Sequence, residues 1–230
     1  MLAAGHYLPL GDDAFRQATA RGIPFVAVQH GLMTPLAPPL PPGSHLLAWS
    51  EPDADYWRSG RTDVTFSVVG SQLLYQAATA SAEHVSRFVR PTYLGQLHGA
   101  ELPRLGMTRA ATDFCLHTHA AYRPHPSEKD RLSRLTHAAW ERLGIEIDRS
   151  GVPLFQTDRP VVSAFSTGVL EAAARGIPAW VHYPRPPSWL REFWERYAMQ
   201  PWGGEPTPAP VLPEVEPARA IAAWIAEELT

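Results

Sequence analysis

Sulphur, lysine and long apolar runs are all scarce in this chain. One cysteine, Cys115, among 230 residues allows no internal disulfide, which fits a reducing compartment. Lys129 is the only lysine; every other basic residue is arginine, a bias that speaks of composition rather than chemistry. A formal charge of −3 excludes a uniformly basic nucleic-acid binder, and no nucleic-acid partner is expected. No run of roughly eighteen apolar residues occurs, and the opening MLAAGHYLPLGDD lacks the basic and apolar regions of a secretory signal. A soluble cytoplasmic chain is the expectation. With 45% apolar and 19% charged residues, the balance is that of a packed globular protein. Neither internal repeats nor charge blocks interrupt it.

Proline is abundant instead, at 24 residues against an average share of roughly 5%. The stretch PLAPPLPPG, Pro35 to Gly43, excludes helix and central strand, because each proline removes a donor and restrains its predecessor. A second rich stretch, Pro201 to Pro217, reads as a linker before a last helix over 218–229. That helix has apolar residues at 221, 224, 225 and 229, suited to docking on the body.

Between these breaks, strand and helix alternate. Residues 12–21 read as a helix stopped by Gly22, Pro24 to Gln29 as a buried strand delivering His30 and Gly31 to a loop, and His45 to Trp49 as a short strand. Residues 52–60 read as a helix with Pro52 in its first turn, and Thr65 to Val69 as a strand ending at Gly70. A second set begins with the strand Thr92 to Leu97. It continues with Tyr122 at the end of a strand, a helix over 127–143 capped by Ser127, the strand Val161 to Phe165, the helix Thr167 to Arg175 and the strand Ala179 to His182. Such alternation predicts an α/β chain with parallel sheets, whose ligands gather outside the carboxyl ends of the strands.

Four turns then stand out. In VVSAFSTGVLEAAARGIP, a strand runs into Ser166, Thr167 and Gly168 at a helix start, where hydroxyls and free N–H groups suit an anion and glycine admits a phosphate closely. Glu171, read as lying in the first turn, would reach a ribose; an ordinary helix cap explains the same residues equally well. In AYRPHPSEKD, two prolines hold His125 in an extended loop with Arg123 and Lys129 as cationic neighbours, an arrangement also found in plain rigid turns. VQHGLM places Gln29, His30 and Gly31 after a strand, where a turn needing glycine is the simpler alternative. YLGQLHG sets Gln96 and His98 between glycines.

Taken as strands, Cys115, His117 and His119 would share one face and could ligate zinc, but no fourth ligand stands at motif spacing, and no metal is expected. Trp189, Phe193, Trp194 and Tyr197 fall at helical spacing and read as core. The YPRPPS tract from Tyr183 could border a nucleotide base.

P-H-P-S-E followed by S-T-G-x-x-E-A-x-x-x-G-x-P resembles the nucleotide-binding half of GT-B glycosyltransferases. More narrowly it is similar to bacterial enzymes using cytidine-activated donors: sialyl-, polysialyl- and Kdo-transferases and CDP-glycerol glycerophosphotransferases. The match spans roughly 92–185. It implies that His125, Ser166 and Thr167 hold the donor phosphate and that Glu171 meets the ribose, with Gln96, Arg123 and Gly168 completing the donor site. Residues 22–70, with the Gln29–His30–Gly31 turn, resemble the end of an acceptor-side domain. His30 becomes the candidate base, because an imidazole suits proton abstraction near neutrality, with Glu51, Asp53 and Asp55 as competitors.

The resemblance thus implies a metal-independent GT-B transferase without a cofactor, moving a sugar from a CMP-linked donor to a glycan acceptor during surface polysaccharide assembly. CDP-glycerol or UDP-sugar transfer, an epimerase-like enzyme, and a non-catalytic nucleotide-binding subunit are the alternatives. Association with the inner membrane face or with a partner subunit is a further expectation. The implied plan is a truncated acceptor domain over 1–75, a linker helix over 76–91, a nearly complete Rossmann-like donor domain over 92–200, the Pro-rich linker over 201–217 and a docking helix over 218–230.

Overall fold

The computed structural model describes residues 1–7, 9–80, 89–156 and 158–228. In chain order its main elements are β1 (Leu2–Ala3), α1 (Pro9–Arg21), β2 (Val26–Val28), β3 (His45–Ala48), α2 (Glu51–Arg58), β4 (Thr65–Val68) and α3 (Gln72–Thr79). These are followed by β5 (Thr92–Leu94), α4 (Arg104–Thr118), β6 (Ala121–Arg123), α5 (Arg131–Arg142), β7 (Val161–Ser163), α6 (Thr167–Ala174), β8 (Ala179–Val181), α7 (Ser188–Arg196) and α8 (Pro217–Glu228). The chain divides into two compact α/β units, Met1–Tyr75 with Val211–Thr230, and Gln76–Pro210. Half of the linker helix expected over 76–91, residues 81–88, lies outside the described residues. No described helix is long and apolar enough to cross a membrane.

In the first unit, β1 to β4 form one parallel sheet in that order. Strand alternation sorts its side chains by face. Phe25, Ala27, Leu46 and Ala48 join Ala18 of α1 and Ala54 and Trp57 of α2 in one cluster, while Val26, Leu47 and Val69 form another. The second cluster is covered by Ala220, Ile221 and Trp224 of α8, and Trp224 also stacks on His45 at 4.5 Å between ring centroids. A parallel sheet needs cover on both faces, and the C-terminal helix supplies the second. Ile221 and Trp224 are two of the expected docking positions; Leu229 lies outside the described residues.

The second unit carries the parallel sheet β6-β5-β7-β8. From β5 the chain moves out to β6, then recrosses to β7 on the opposite side of β5. This reversal makes the carboxyl ends of β5 and β7 a topological switch point, the position where doubly wound folds bind ligands. The outer edge of β8 is not bare: Trp202 and Thr207 donate their N–H groups to Val181 and Ala179, so the start of the Pro-rich stretch lies along the sheet.

Three local expectations are corrected. Helix α5 starts at Arg131 with Asp130, not Ser127, as its cap: the Asp130 carboxylate accepts the Ser133 N–H at 3.0 Å. Residues 125–128 form a turn instead, closed by the Glu128 N–H on the His125 carbonyl at 2.9 Å. Cys115 and His117 lie on helix α4 with His119 as its C-cap, so a rotation of about 100° per residue sets His117 nearly opposite Cys115, and no shared strand face exists. Burial of Met107, Ala110, Ala111, Phe114 and Cys115 traces the helical period that sequence inspection passed over. Glu171 is the fifth residue of α6, whose cap is Ser166, and so opens its second turn rather than lying in the first.

Candidate functional site

The loops leaving β5, β6 and β7 are cross-linked into one rim by two buried or half-buried groups. The first is Glu128, only 5% exposed. Its Oε1 accepts the N–H of Leu97 at 3.0 Å from the β5 loop and that of His125 at 3.2 Å from its own loop. Its Oε2 accepts the Tyr122 hydroxyl at 2.9 Å and lies 3.0 Å from His137 Nε2. Burial alone would raise its pKa, but these hydrogen bonds outweigh burial and hold the carboxyl below the ordinary carboxylate value. Gly95 is required beside it, since a Cβ there would strike the Tyr122 hydroxyl and come within 2.6 Å of Glu128 Oε1.

The second tie is Gln96. Its Oε1 accepts from Ser163 Oγ and from the Phe165 N–H, both at 3.1 Å, which joins the β5 loop to the β7 loop across the switch point. The Ser163 hydroxyl proton is shared with the Leu94 carbonyl, also at 3.1 Å, but the Phe165 N–H can only donate and so fixes the orientation of the amide, whose NH2 group remains as a donor without a partner among the described residues.

His125 stands on this rim with its ring exposed. Its Nδ1 accepts the Ser127 N–H at 3.1 Å, which leaves the proton of the neutral ring on Nε2. Partial burial and the neighbouring His98 push its pKa below the ordinary imidazole value, against an opposing pull from Glu128. On the β7 side, Ser166 Oγ accepts the Gly168 N–H at 3.1 Å and the Ser166 carbonyl accepts that of Val169. The cap therefore consumes two of the helix-start donors; the Thr167 N–H and hydroxyl have no partner among the described residues.

Gly168 serves packing, not close approach. A Cβ there would lie 2.5 Å from Leu94 Cδ1 and 2.7 Å from Leu154 Cδ2. Glu171 is half-buried with no hydrogen-bond or ion-pair partner among the described residues, and burial raises its pKa. Arg123 is engaged elsewhere. Its guanidinium donates to the Val152 carbonyl and lies 3.8 Å from Asp148, so no contact brings it to His125. Beyond β8, an open cleft of about 660 Å3 is lined by His182, Tyr183, Arg191, Trp194 and Trp202 among others. Phe193 and Trp194 of α7 are buried as core.

In the first unit, Gln29 is 3% exposed and its side chain is fully occupied. Its amide donates to Asp53 at 2.9 Å and to the Gly31 carbonyl at 3.0 Å, and its Oε1 accepts the Trp49 N–H at 2.7 Å. It braces the turn rather than facing a ligand. His30 is exposed beside the Tyr7 hydroxyl, 2.9 Å from Nε2. Gly31 has no positive φ, and a Cβ there would meet open space, so the turn's backbone does not demand glycine. Asp53 is buried against Gln29 and Asp55 pairs with Arg58 at 2.7 Å, which leaves His30 and Glu51 as the exposed candidates without an ion pair among the described residues.

Sequence reasoning singled out His125, Gln96 and Thr167, and the fold sets them on one edge of one sheet. It gave Glu128 no role, although the residue stands in the P-H-P-S-E motif that drew attention to its neighbours. Among the described residues no group of three His, Cys, Asp or Glu side chains is arranged to hold a metal ion. No family model matches the chain, and no curated protein matches it.

Proposed function

We propose that the second unit binds the phosphate of a nucleotide-activated sugar, with a CMP-linked sugar as the first choice, and that the chain acts in transfer of that sugar to a glycan acceptor by a GT-B type reaction. The observation that carries this reading is the single rim at the switch point, where the His125 loop, the Gln96 amide and the start of α6 are tied together. That rim offers donors and an imidazole to an anion: the Nε2–H of His125, the Gln96 NH2 and the Thr167 N–H and hydroxyl. The unpartnered Glu171 carboxyl one turn along α6 suits a ribose diol.

In this mechanism the bond from the anomeric carbon to the nucleotide phosphate breaks, and the phosphate gains negative charge as it leaves. Donors already fixed around it lower the barrier because they need no reorientation. His30 of the first unit is the proposed base for the acceptor hydroxyl. Arg123 is left out of the donor set because Asp148 and Val152 already hold it.

Calorimetry with CMP, CDP and UDP tests the reading. His125→Ala and Thr167→Ala should each weaken nucleotide binding about tenfold, the worth of roughly 1.4 kcal/mol from one lost hydrogen bond to a charged group. His30→Ala should leave affinity intact and depress turnover of a CMP-sugar. Unchanged affinity in both phosphate-site variants overturns the assignment, and nucleotide binding without any turnover assigns the chain to a non-catalytic subunit instead.

A further inference from the structure

The donors named for the proposed phosphate site, the His125 Nε2–H, the Gln96 NH2 and the Thr167 N–H and hydroxyl, are all neutral. Arg123, the arginine nearest in sequence, donates from Nη2 to the Val152 carbonyl, while its Nη1, buried and without a hydrogen-bond partner among the described residues, lies 3.8 Å from Asp148. A phosphoester dianion held by neutral donors alone would be weakly neutralised.

His98 lies against one of these donors. Its ring stacks on that of His125, with centroids 3.8 Å apart and planes inclined by 17°. The stack is not a chance meeting of two exposed side chains. Leu97, immediately before His98, and His125 both donate their backbone N–H groups to the one buried carboxylate oxygen of Glu128. The two rings are therefore mounted on backbones pinned to a common point.

The two imidazoles are chemically unequal. His125 Nδ1 accepts the Ser127 N–H, and a proton on that nitrogen would set two donors against each other. His125 is thereby kept as a neutral Nε2–H donor. His98 carries no such constraint, since its ring nitrogens have no hydrogen-bond partner among the described residues. Two positive charges about 4 Å apart repel by roughly 1 kcal/mol in water and roughly 4 kcal/mol near a protein surface, so a positive charge on one ring opposes a second on the other. Among the described residues, the charged groups on the two loops that carry the pair are Glu128 of the β6 loop, whose carboxylate is saturated by its hydrogen bonds, Glu101 of the β5 loop, whose carboxylate lies over Gly99, and Lys129, exposed in the β6 loop.

Resting on the phosphate-site reading above, we infer that His98 and His125 form one anion-binding unit in which His125 donates from its neutral ring and His98 takes up a proton from solvent when a phosphoester dianion binds. The donor phosphodiester carries one negative charge and the released nucleoside monophosphate carries two. A proton gained at His98 as the second charge develops favours the departing group, and its return to solvent accompanies release of the nucleotide. By linkage, affinity for the monophosphate rises as pH falls, by up to tenfold for each unit by which the bound dianion favours the protonated ring.

The test is calorimetry of the full chain with CMP at pH 8, where the ligand phosphate is already a dianion, in buffers of different ionisation enthalpy, with cytidine as the uncharged control. The parent protein should take up a substantial fraction of one proton per CMP and none with cytidine. His98→Phe, which keeps a stacked ring but cannot titrate, should abolish the uptake and weaken CMP binding about tenfold. His125→Asn should weaken binding while retaining the uptake. Histidine side-chain NMR of the parent should identify His98 as the ring that becomes protonated on adding CMP. CMP binding without uptake, or with uptake unchanged in His98→Phe, overturns this inference and leaves the phosphate site standing. Failure of the parent to bind CMP or inorganic phosphate overturns both.

Discussion

Replacing Glu128 by Gln removes one charge from the buried junction of two loops while keeping the shape of the side chain. The carboxylate receives two backbone N–H groups and the Tyr122 hydroxyl and lies against His137 Nε2. The glutamine carbonyl can keep the two N–H donors. Its NH2 must then face Tyr122 and His137, which have to turn from donors into acceptors. Hydrogen bonds to a charged group contribute about 1 kcal/mol more than neutral ones, so across these four contacts the loss is about 4 kcal/mol. At about 2–4 °C per kcal/mol for a chain of this size, the midpoint of thermal unfolding should fall by roughly 8–16 °C at pH 7.

The pH dependence gives a sharper criterion. The folded-state pKa of Glu128 is depressed, so its contribution is complete above the ordinary carboxylate range and fades as pH falls through the lower folded value. Urea unfolding followed by tryptophan fluorescence should therefore show a wide gap between parent and Glu128→Gln at pH 7 that closes in acid. A gap under about 1 kcal/mol at pH 7, or one of the same size at pH 3, would refute the assignment of Glu128 as a charged clasp, since net hydrogen-bond contributions of that size belong to neutral pairs.

Two further outcomes follow from the packing of the second unit. Gly168→Ala places a methyl 2.5 Å from Leu94 Cδ1 and 2.7 Å from Leu154 Cδ2, and overpacking of this kind should cost about 1–3 kcal/mol in urea unfolding; a neutral result would mean that this side of α6 has room to give. Burial pushes the Cys115 thiol up to about 12, so native protein at pH 8 should resist iodoacetamide until denaturant opens α4, as read by mass spectrometry.

Much of the fold was legible because local periodicity carries it. The alternating faces of Phe25, Val26 and Ala27, the glycine stop at Gly22 with φ +64°, and the apolar spacing of Ile221 and Trp224 are each decided by residues a few positions apart. Helix α4 escaped notice because its buried face uses small residues, Ala110, Ala111 and Cys115, which signal burial weakly. The Ser127 cap failed because Asp130 offers a stronger acceptor to the N–H of Ser133 three residues on.

The residues of the candidate site divide along the same line. Sequence alone determined that a proline-framed His125 and a hydroxyl-bearing helix start at Ser166 and Thr167 would each follow a strand, since turn chemistry and helix capping act over a few residues. Tertiary structure decided what those residues are free to do. The order β6-β5-β7-β8 brings their loops to one edge, Glu128 and Gln96 bind that edge together, Gly168 is claimed by Leu94 and Leu154, and Arg123 is claimed by Asp148. Each of these outcomes is a competition for a hydrogen-bond donor, a charge or a volume between groups distant in the chain, and only the folded packing brings the competitors within reach of one another.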